Sequence, residues 1–274
     1  MRHELRHFAD CSNSLMSSGT ITSLGQVGIH LCSKECSLFI DPYLTDSVAK
    51  TYGVEFSRMV PPPFSPTEVP PVDHILLTHA HLDHTDPDTL LPLIEKYPSA
   101  TLTGPYEVAD LLRKRGLNNM RPLPLQWEAL SHRVKFRSVP AAHTSFETNS
   151  LGEWRYCGFL IKVEGFTIYH AGDTIPHPAI FESLKGELID LALLPVNERN
   201  YYRDAKAIVG NMSLREAFQM AEDLGVGTLI PTHWDLFASN SVHRREIELM
   251  YELEHPSFRL KILEVGESLD LISL

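Results

Sequence analysis

Four side chains of metal-binding type crowd into six positions of one stretch. The stretch ILLTHAHLDHTD, residues 75–86, carries His79, His81, Asp83 and His84 directly after an apolar run. Residues two apart point to nearly opposite sides of a helix but to the same side of an extended chain. The spacing therefore excludes a helical metal motif and predicts that His79 and His81 converge on one ion. Asp83 and His84 follow as the chain turns, which directs them to a neighbouring position.

This stretch cannot complete two metal sites by itself, because a catalytic ion takes three or four ligands and keeps one position for water. Other ligand types occur where predicted strands end: His143 closes SVPAAH, Asp173 closes TIYHAGD and His233 closes TLIPTH. A lone histidine at a strand end more often serves the core or the surface, but the dense cluster favours metal ligands. The predicted ligands form two groups and a bridge: His79, His81 and His143 for one ion, Asp83, His84 and His233 for the second, and Asp173 between the ions.

The chemistry expected of such a site is hydrolysis. Two ions a few Å apart can lower the pKa of a shared water towards ~7, which makes hydroxide available as a nucleophile, and they polarise a carbonyl or phosphoryl oxygen. Asp83 is the predicted catalytic residue, which orients the hydroxide and receives its proton. Asp41, at the end of the strand SLFI, is predicted to support the histidine loop as an acceptor instead of binding metal. Imidazoles with carboxylates and no thiolate suit two divalent ions of Zn, Mn or Fe.

The elements that must position these residues alternate between strands and helices. Hairpin strands are predicted in TITSLGQVGIHLCS and SLFIDPY, and a closing strand pair in KILEVGESLDL. Helices are predicted over 87–97, 106–115 and 242–253, and a further helix begins at the capping box of Ser213 to Glu216. Strands dominate both halves and helices follow them. We therefore predict an α/β (α+β) fold with two sheets packed face to face and helices outside.

Length favours one domain over residues 1–274, with a core from about residue 20 to the C-terminus. Residues 45–71 contain crowded prolines, which cannot continue a helix or a central strand. This segment is predicted to be a long surface loop and a candidate lid over the site.

Composition excludes several classes of protein. The chain is 43% hydrophobic and 22% charged, with no apolar run near the roughly 20 residues that a membrane span needs. The N-terminal stretch has no apolar signal region, so a cytoplasmic location is expected. A net charge of −11 disfavours nucleic acid as a partner. Scattered cysteines are predicted to be free thiols: Cys11, Cys32, Cys36 and Cys157.

The motifs resemble those of the metallo-β-lactamase fold superfamily. Its five motifs are matched in chain order by Asp41, the 79–84 cluster, His143, Asp173 and His233. The resemblance spans nearly the whole chain and implies a four-layer αββα sandwich of two pseudo-symmetric halves, with the metals at one edge. Asp173 stands where true β-lactamases typically have a cysteine ligand, which is the pattern of the hydrolytic branches.

Within that superfamily, the segments HAGDT, MSLREAFQMAEDLGV and LIPTHWDLFASN resemble the L-ascorbate-6-phosphate lactonases. That resemblance implies lactone hydrolysis, Mn as the metal and a homo-oligomer, whereas the superfamily at large favours Zn. The chain departs from the lactonases at Ala80, Leu82 and Trp234. Because of these departures, we expect lactone hydrolysis from the resemblance but do not carry over the sugar phosphate substrate.

The expected substrate is a small acidic or phosphorylated metabolite with a lactone or ester-like bond. Loops predicted to leave the metal edge carry Arg155, Arg199, Tyr201 and Asn211, which suit an anionic or polyhydroxy ligand. Solvated loop positions are the plainer interpretation of these four. Two alternatives stay open, namely a phosphodiesterase or nuclease of the same fold and a non-enzymatic metal-dependent binding protein.

Overall fold

Two seven-stranded sheets form the centre of the molecule. The structure is a computed structural model, and it describes residues 19–118 and 120–274. The first sheet has strands in the order β14-β1-β2-β3-β4-β5-β6. Its strands are β1 (Thr20–Gly25), β2 (Gly28–Cys32), β3 (Ser37–Ile40), β4 (His74–Leu76), β5 (Thr101–Thr103), β6 (Met120–Arg121) and β14 (Ser268–Asp270).

The second sheet repeats the pairing pattern of the first. Its strands are β7 (Glu128–Ala129), β8 (Val134–Pro140), β9 (Cys157–Val163), β10 (Phe166–His170), β11 (Leu191–Pro195), β12 (Thr228–Thr232) and β13 (Arg259–Leu260). The order is β13-β12-β11-β10-β9-β8-β7. Counted from β14 in the first sheet and from β7 in the second, three antiparallel pairings are followed by three parallel ones. β14 is the outermost antiparallel strand of the first sheet.

Helices cover the outer faces of both sheets. The helices of the described residues are α1 (Ser47–Tyr52), α2 (Pro87–Lys96), α3 (Tyr106–Arg113), α4 (Pro178–Leu184), α5 (Tyr201–Asp204), α6 (Leu214–Asp223) and α7 (Arg244–Glu254). Buried side chains of β3, β4 and β5 pack with α2 and α3, and those of β10, β11 and β12 pack with α4, α6 and α7. The predicted four-layer αββα sandwich is confirmed.

The main core lies between the two sheets. Leu31 and Leu38 of the first sheet are buried in one cluster with Phe136, Phe159 and Leu193 of the second. Inward and outward side chains alternate along each strand, so each sheet has one face for its partner sheet and one for its helices. The strands are thereby held rigidly enough to place side chains at their ends.

Several predicted elements are confirmed, and one is wrong. The helix over 87–97 is observed as α2, and Ser213 and Glu216 form the predicted capping box. The closing strand pair is wrong, because β13 joins β12 in the second sheet while β14 joins β1 in the first. The proline-rich segment 45–71 is mostly irregular, but it contains α1 and a 3-10 turn at Val54–Phe56.

The free-thiol prediction holds for two cysteines. Cys36 and Cys157 are free and buried, and burial raises the pKa of Cys36 to about 12. Cys32 is disulfide-bonded, so the prediction is wrong for this residue, and Cys11 lies outside the described residues. Within 19–118 and 120–274, none of the helices has the length and apolar character required to span a bilayer.

The burial of His30 in β2 makes stability depend on pH. Its ring stacks on Phe39 with centroids 4.5 Å apart, and its Nε2 lies 2.9 Å from Ser37 Oγ. Burial lowers the pKa of His30 from 6.5 to about 4. Between these values the unfolded chain binds more protons than the folded chain, so the free energy of unfolding falls as pH falls through this window.

We expect His30→Gln to remove much of this dependence, because glutamine can still donate to Ser37 but does not titrate. Between pH 6.5 and 4.5 the variant should lose about 2 kcal/mol less of its free energy of unfolding than the wild type. Urea unfolding at several pH values measures the difference. Parallel pH profiles for the two proteins would contradict the prediction.

Candidate metal centre

Strand direction brings the predicted ligands to one edge of the sandwich. Strands β8, β10 and β12 run in the same direction, since β9 is antiparallel to both β8 and β10, and β10, β11 and β12 are parallel. His143, Asp173 and His233 follow the ends of these three strands. In the first sheet β3 and β4 are parallel, and they are followed by Asp41 and by the 79–84 loop.

The first group consists of three imidazoles in close contact. Nε2 of His79 lies 2.9 Å from Nδ1 of His81. His143 joins them, and one ligand atom from each of the three side chains lies within 4.8 Å of the other two. Tyr156 packs its ring against all three, with centroids 5.5 Å from His79, 6.3 Å from His81 and 5.3 Å from His143. The tyrosine therefore limits the rotation of this group.

The second group surrounds one oxygen of Asp83. Oδ2 of Asp83 lies 3.6 Å from Nε2 of His84 and 3.7 Å from Nε2 of His233. Asp83 is partly exposed, whereas both histidines are buried. The carboxylate can therefore reach a bound molecule as well as the two imidazoles.

Asp173 lies between the two groups. Its Oδ2 is 3.5 Å from Nε2 of His143 in the first group and 3.3 Å from Nε2 of His233 in the second. Its Oδ1 is 3.5 Å from Nε2 of His84. One buried carboxylate thus faces imidazole nitrogens of both groups.

These spacings fit a metal ion better than hydrogen bonds. Most lie between 3.3 and 3.7 Å, beyond the usual N–H···O range. Tetrahedral coordination at about 2.0–2.1 Å separates ligand atoms by roughly 3.3–3.4 Å. In the part of the chain that the structure describes, His84 Nε2 and Asp173 Oδ1 are buried and have no hydrogen-bond partner. The donor set and its spacing are compatible with cations at this edge.

The electrostatics of the site also favour cations. Burial lowers the pKa of His143 to about 4 and holds the pKa of His79 well below 6.5, which keeps both imidazoles in the neutral form that binds metal. For His84, burial acts in the same direction, but the carboxylates of Asp173 and Asp83 outweigh it and raise the pKa well above 6.5. A divalent cation between these carboxylates would compete with that proton.

Asp41 orients His84 through a hydrogen bond at Nδ1 of the ring. Its Oδ2 accepts a hydrogen bond from His84 Nδ1 at 2.8 Å, and its Oδ1 accepts one from the backbone N–H of Thr78, also at 2.8 Å. The Thr78 hydroxyl donates to the same carboxylate. With Nδ1 occupied in this way, Nε2 of His84 is left to face Asp83 and Asp173.

A glycine allows the Asp173 loop to pack against the histidine loop. Gly172 has φ +63°, and a Cβ there would lie 2.8 Å from Cβ of Thr78 and 2.9 Å from the carbonyl oxygen of Cys157. Any side chain would push the loop away from Thr78. The HAGD segment therefore brings Asp173 close to the 79–84 loop because residue 172 is glycine.

Sequence reasoning missed Gln26 and Tyr156. Gln26 occupies the turn between β1 and β2, and its Nε2 lies 2.7 Å from Asp83 Oδ2. His170, the last residue of β10, donates from Nε2 to the carbonyl of Val27 at 2.8 Å and accepts from Gly172 N–H. It fixes the same turn from the second sheet.

A cavity of about 500 Å³ opens beside the two groups. Its lining includes five of the predicted ligands, His81, Asp83, His143, Asp173 and His233. The segment 45–71 supplies one wall, while the lid function predicted for this segment stays a prediction. Most other lining side chains are apolar: Val48, Tyr52, Phe56, Leu82, Ile208, Val209 and Phe237. The lining includes one cation, Lys206, and one further acid, Glu55.

The four predicted substrate residues lie outside the lining of this cavity. Arg155 forms ion pairs with Glu147 at 2.7 Å and Glu107 at 2.9 Å, and stacks over Tyr156. The role of these four residues in substrate binding stays a prediction.

The other three occupy quite different surroundings. Asn211 is fully buried and donates to Asn197. Arg199 is paired with Glu216, and Tyr201 is 89% exposed at the start of α5.

Comparison with known proteins gives matches over most of the chain. Residues 38–234 match the model of the Beta-lactamase superfamily domain. The chain is 31% identical over 273 residues to a UPF0173 metal-dependent hydrolase from Rubrobacter xylanophilus, covering 93% of this chain and 98% of that protein. It is 28% identical over 255 residues to another from Pyrococcus furiosus, covering 92% and 99%.

A solved structure shares the fold. The isothiocyanate hydrolase from Delia radicum gut bacteria superposes with a TM-score of 0.73 at 19% identity, over 92% of this chain and 98% of that one. At this level of identity the similarity concerns the arrangement of the two sheets and their helices.

Proposed function

The chain belongs to the Beta-lactamase superfamily and is a metal-dependent hydrolase, and from that premise we propose that two divalent metal ions serve cleavage of a lactone or other ester-like bond in a small metabolite. The position of Asp173 is the main support for two ions. Its carboxylate lies within 3.5 Å of imidazole nitrogens from both groups. A carboxylate in such a position can bridge two cations.

The residues that would hold the ions follow the two groups. His79, His81 and His143 would hold one, and Asp83, His84 and His233 the other. Imidazole and carboxylate ligands without thiolate suit Zn, Mn or Fe. Bound metal supplies a lowered pKa for water and polarisation of the substrate carbonyl.

Asp83 is the proposed catalytic residue. It lines the cavity, and its pKa lies below 3.8, because the nearby His84 and His233 outweigh the effect of burial. It is therefore ionised at neutral pH and can accept a proton as the nucleophile attacks. Gln26 and the two histidines hold Oδ2 in place.

The lining of the cavity supports a substrate with an apolar part. Apolar side chains surround the space next to Asp83, and Lys206 can bind one carboxylate or phosphate group. A nuclease or phosphodiesterase acting on a polyanion would be served better by several cations. The favoured substrate is therefore a lactone or ester that carries an alkyl or aryl group, with at most one acidic group.

Hydrolysis assays on a matched series test this proposal. We expect metal-loaded protein to hydrolyse γ-lactones and esters, with kcat/KM rising about three- to fourfold per added methylene while the chain fits the cavity, since each buried CH₂ contributes ~0.8 kcal/mol. Tyr52→Ala should flatten this rise, because Tyr52 lines the cavity, whereas Tyr106→Ala, at the start of α3 and outside that lining, should leave it unchanged.

Other substrates in the same panel separate the alternatives. Bis-p-nitrophenyl phosphate and a structured RNA represent the phosphodiesterase and nuclease functions. Phenethyl isothiocyanate represents a second candidate, which the apolar lining and the likeness to an isothiocyanate hydrolase favour. Higher kcat/KM on any of these would refute the lactone or ester assignment, and no turnover of any substrate by fully metallated protein would favour a binding protein.

A further inference from the structure

We infer that Gln26 positions Asp83 and thereby sets the affinity of the second metal ion. The inference rests on the proposed two-ion site. Nε2 of Gln26 lies 2.7 Å from Oδ2 of Asp83 and 3.1 Å from Nε2 of His233. These two atoms are also the ones that face each other across the second group at 3.7 Å. The Asp83 oxygen keeps a lone pair for an ion while it accepts from the amide, whereas the single lone pair of His233 Nε2 cannot serve both, so the amide acts on the second group through Asp83.

The backbone of the β1–β2 turn fixes the amide with respect to His233. The N–H of His233 donates to the carbonyl of Gln26 at 2.6 Å, and the N–H of Gln26 donates to Asp235 Oδ1 at 3.0 Å. Gln26 and His233 both adopt positive φ, +59° and +60°. His170 holds the next residue of the turn through the carbonyl of Val27. The turn of the first sheet and the end of β12 thus form one rigid unit.

Burial of the side chain makes the amide a fixed donor. Gln26 is 4% exposed, and its Oε1 is buried without a hydrogen-bond partner among the described residues. A buried amide oxygen without a partner lowers the stability of the folded state. The charge-assisted hydrogen bond from Nε2 of the same amide to the Asp83 carboxylate is strong and offsets that loss. The bond removes the freedom of a partly exposed carboxylate to turn into the cavity.

This role predicts an effect on one ion only. Gln26 contacts Asp83 and His233 of the second group, whereas the first group is held by its own contacts and by Tyr156. Outer contacts of this kind typically change metal affinity by 10- to 100-fold. A merely structural role in the turn would also lower the unfolding temperature of the metal-free protein.

Two substitutions remove the side-chain contact and spare the turn. Gln26→Asn keeps an amide but is one methylene too short to reach Asp83 Oδ2, and asparagine tolerates positive φ. Gln26→Gly removes the side chain at a φ that glycine adopts freely. Both retain the backbone bonds to Asp235 and His233. Gln219→Asn, on the exposed face of α6, is the matched control.

Metal titration of the purified full chain against a chromophoric chelator, with Zn and Mn separately, measures each binding step. Elemental analysis gives the final stoichiometry, and thermal unfolding in excess chelator compares the folds. We expect the wild type and Gln219→Asn to bind two ions. Both Gln26 variants should bind one ion 10- to 100-fold less tightly and the other within about threefold of wild type.

Two results would overturn the inference. Unchanged affinities in both Gln26 variants, or equal losses at both steps, would show that the amide does not act on the second ion. Fewer than two ions in the wild type would refute the two-ion site and the inference together. Hydrolytic activity is not needed for any of these readouts, so a wrong substrate assignment leaves the test intact.

Discussion

Asp83→Asn is expected to lower kcat/KM by about 10²- to 10⁴-fold, the range for loss of a general base. Asparagine keeps the size of the side chain and still offers Gln26 an acceptor, but it cannot take a proton. The reason lies in the position of the carboxylate, which lines the cavity and faces His84 and His233. Steady-state kinetics on the best lactone or ester of the panel measure the effect.

Asp88→Asn is the matched control for this substitution. Asp88 is an exposed carboxylate in the first turn of α2, five positions further along the chain. The control should retain wild-type kcat/KM. An Asp83→Asn protein that keeps more than a tenth of wild-type kcat/KM with both ions bound would rule out proton transfer by Asp83.

Asp173→Ala should remove both ions. The carboxylate faces His84, His143 and His233 at 3.3–3.5 Å, and its loss leaves imidazoles of both groups without their shared anion. Metal content should fall below half an ion per chain, and kcat/KM should fall at least about a thousandfold, since metal-derived stabilisation of the transition state amounts to several kcal/mol. Elemental analysis after loading and gel filtration measures the first effect.

An exposed aspartate again provides the control. Asp110→Asn, on α3, alters a surface ion pair with Arg113 and should leave metal content unchanged. Asp173→Ala protein that retains two ions would exclude a bridging role. Loss of one ion with full retention of the other would assign Asp173 to a single site.

The positions of the predicted ligands could be inferred from sequence because each is a local signal at the end of a strand. His143, Asp173 and His233 each follow a run of buried strand residues, and the strands that carry them run in one direction. Sheet twist and register need not be known for this inference. The signal is the ligand type together with the strand end.

Gln26 could not be found in this way, because its role depends on topology. β2 is antiparallel to β3, so the start of β2 lies at the same edge as the end of β3. The turn before β2 is thereby brought to the metal edge, although the sequence marks it only as a hairpin turn. Tyr156 is similar, since a tyrosine just before a strand is as typical of a core as of a site.

The edge strands and the cavity lining also escaped sequence reasoning. β13 and β14 are two and three residues long, and each is specified by a distant partner, β12 or β1, instead of by the other. The cavity is lined mainly by apolar side chains, which have the same pattern as core residues. Arg199 is paired with Glu216, and its predicted role in substrate binding stays a prediction.

The pairing of the two sheets gives the metal edge a mechanical role. His79, His81, Asp83 and His84 follow a strand of the first sheet, whereas His143, Asp173 and His233 follow strands of the second. Any ion shared by these ligands would act as a cross-link between the two halves of the sandwich. Binding that is specific to the folded state stabilises it by about 4 kcal/mol at a thousandfold excess over Kd. The concentration of metal in the cell would then set how long the protein stays folded as well as its catalytic rate.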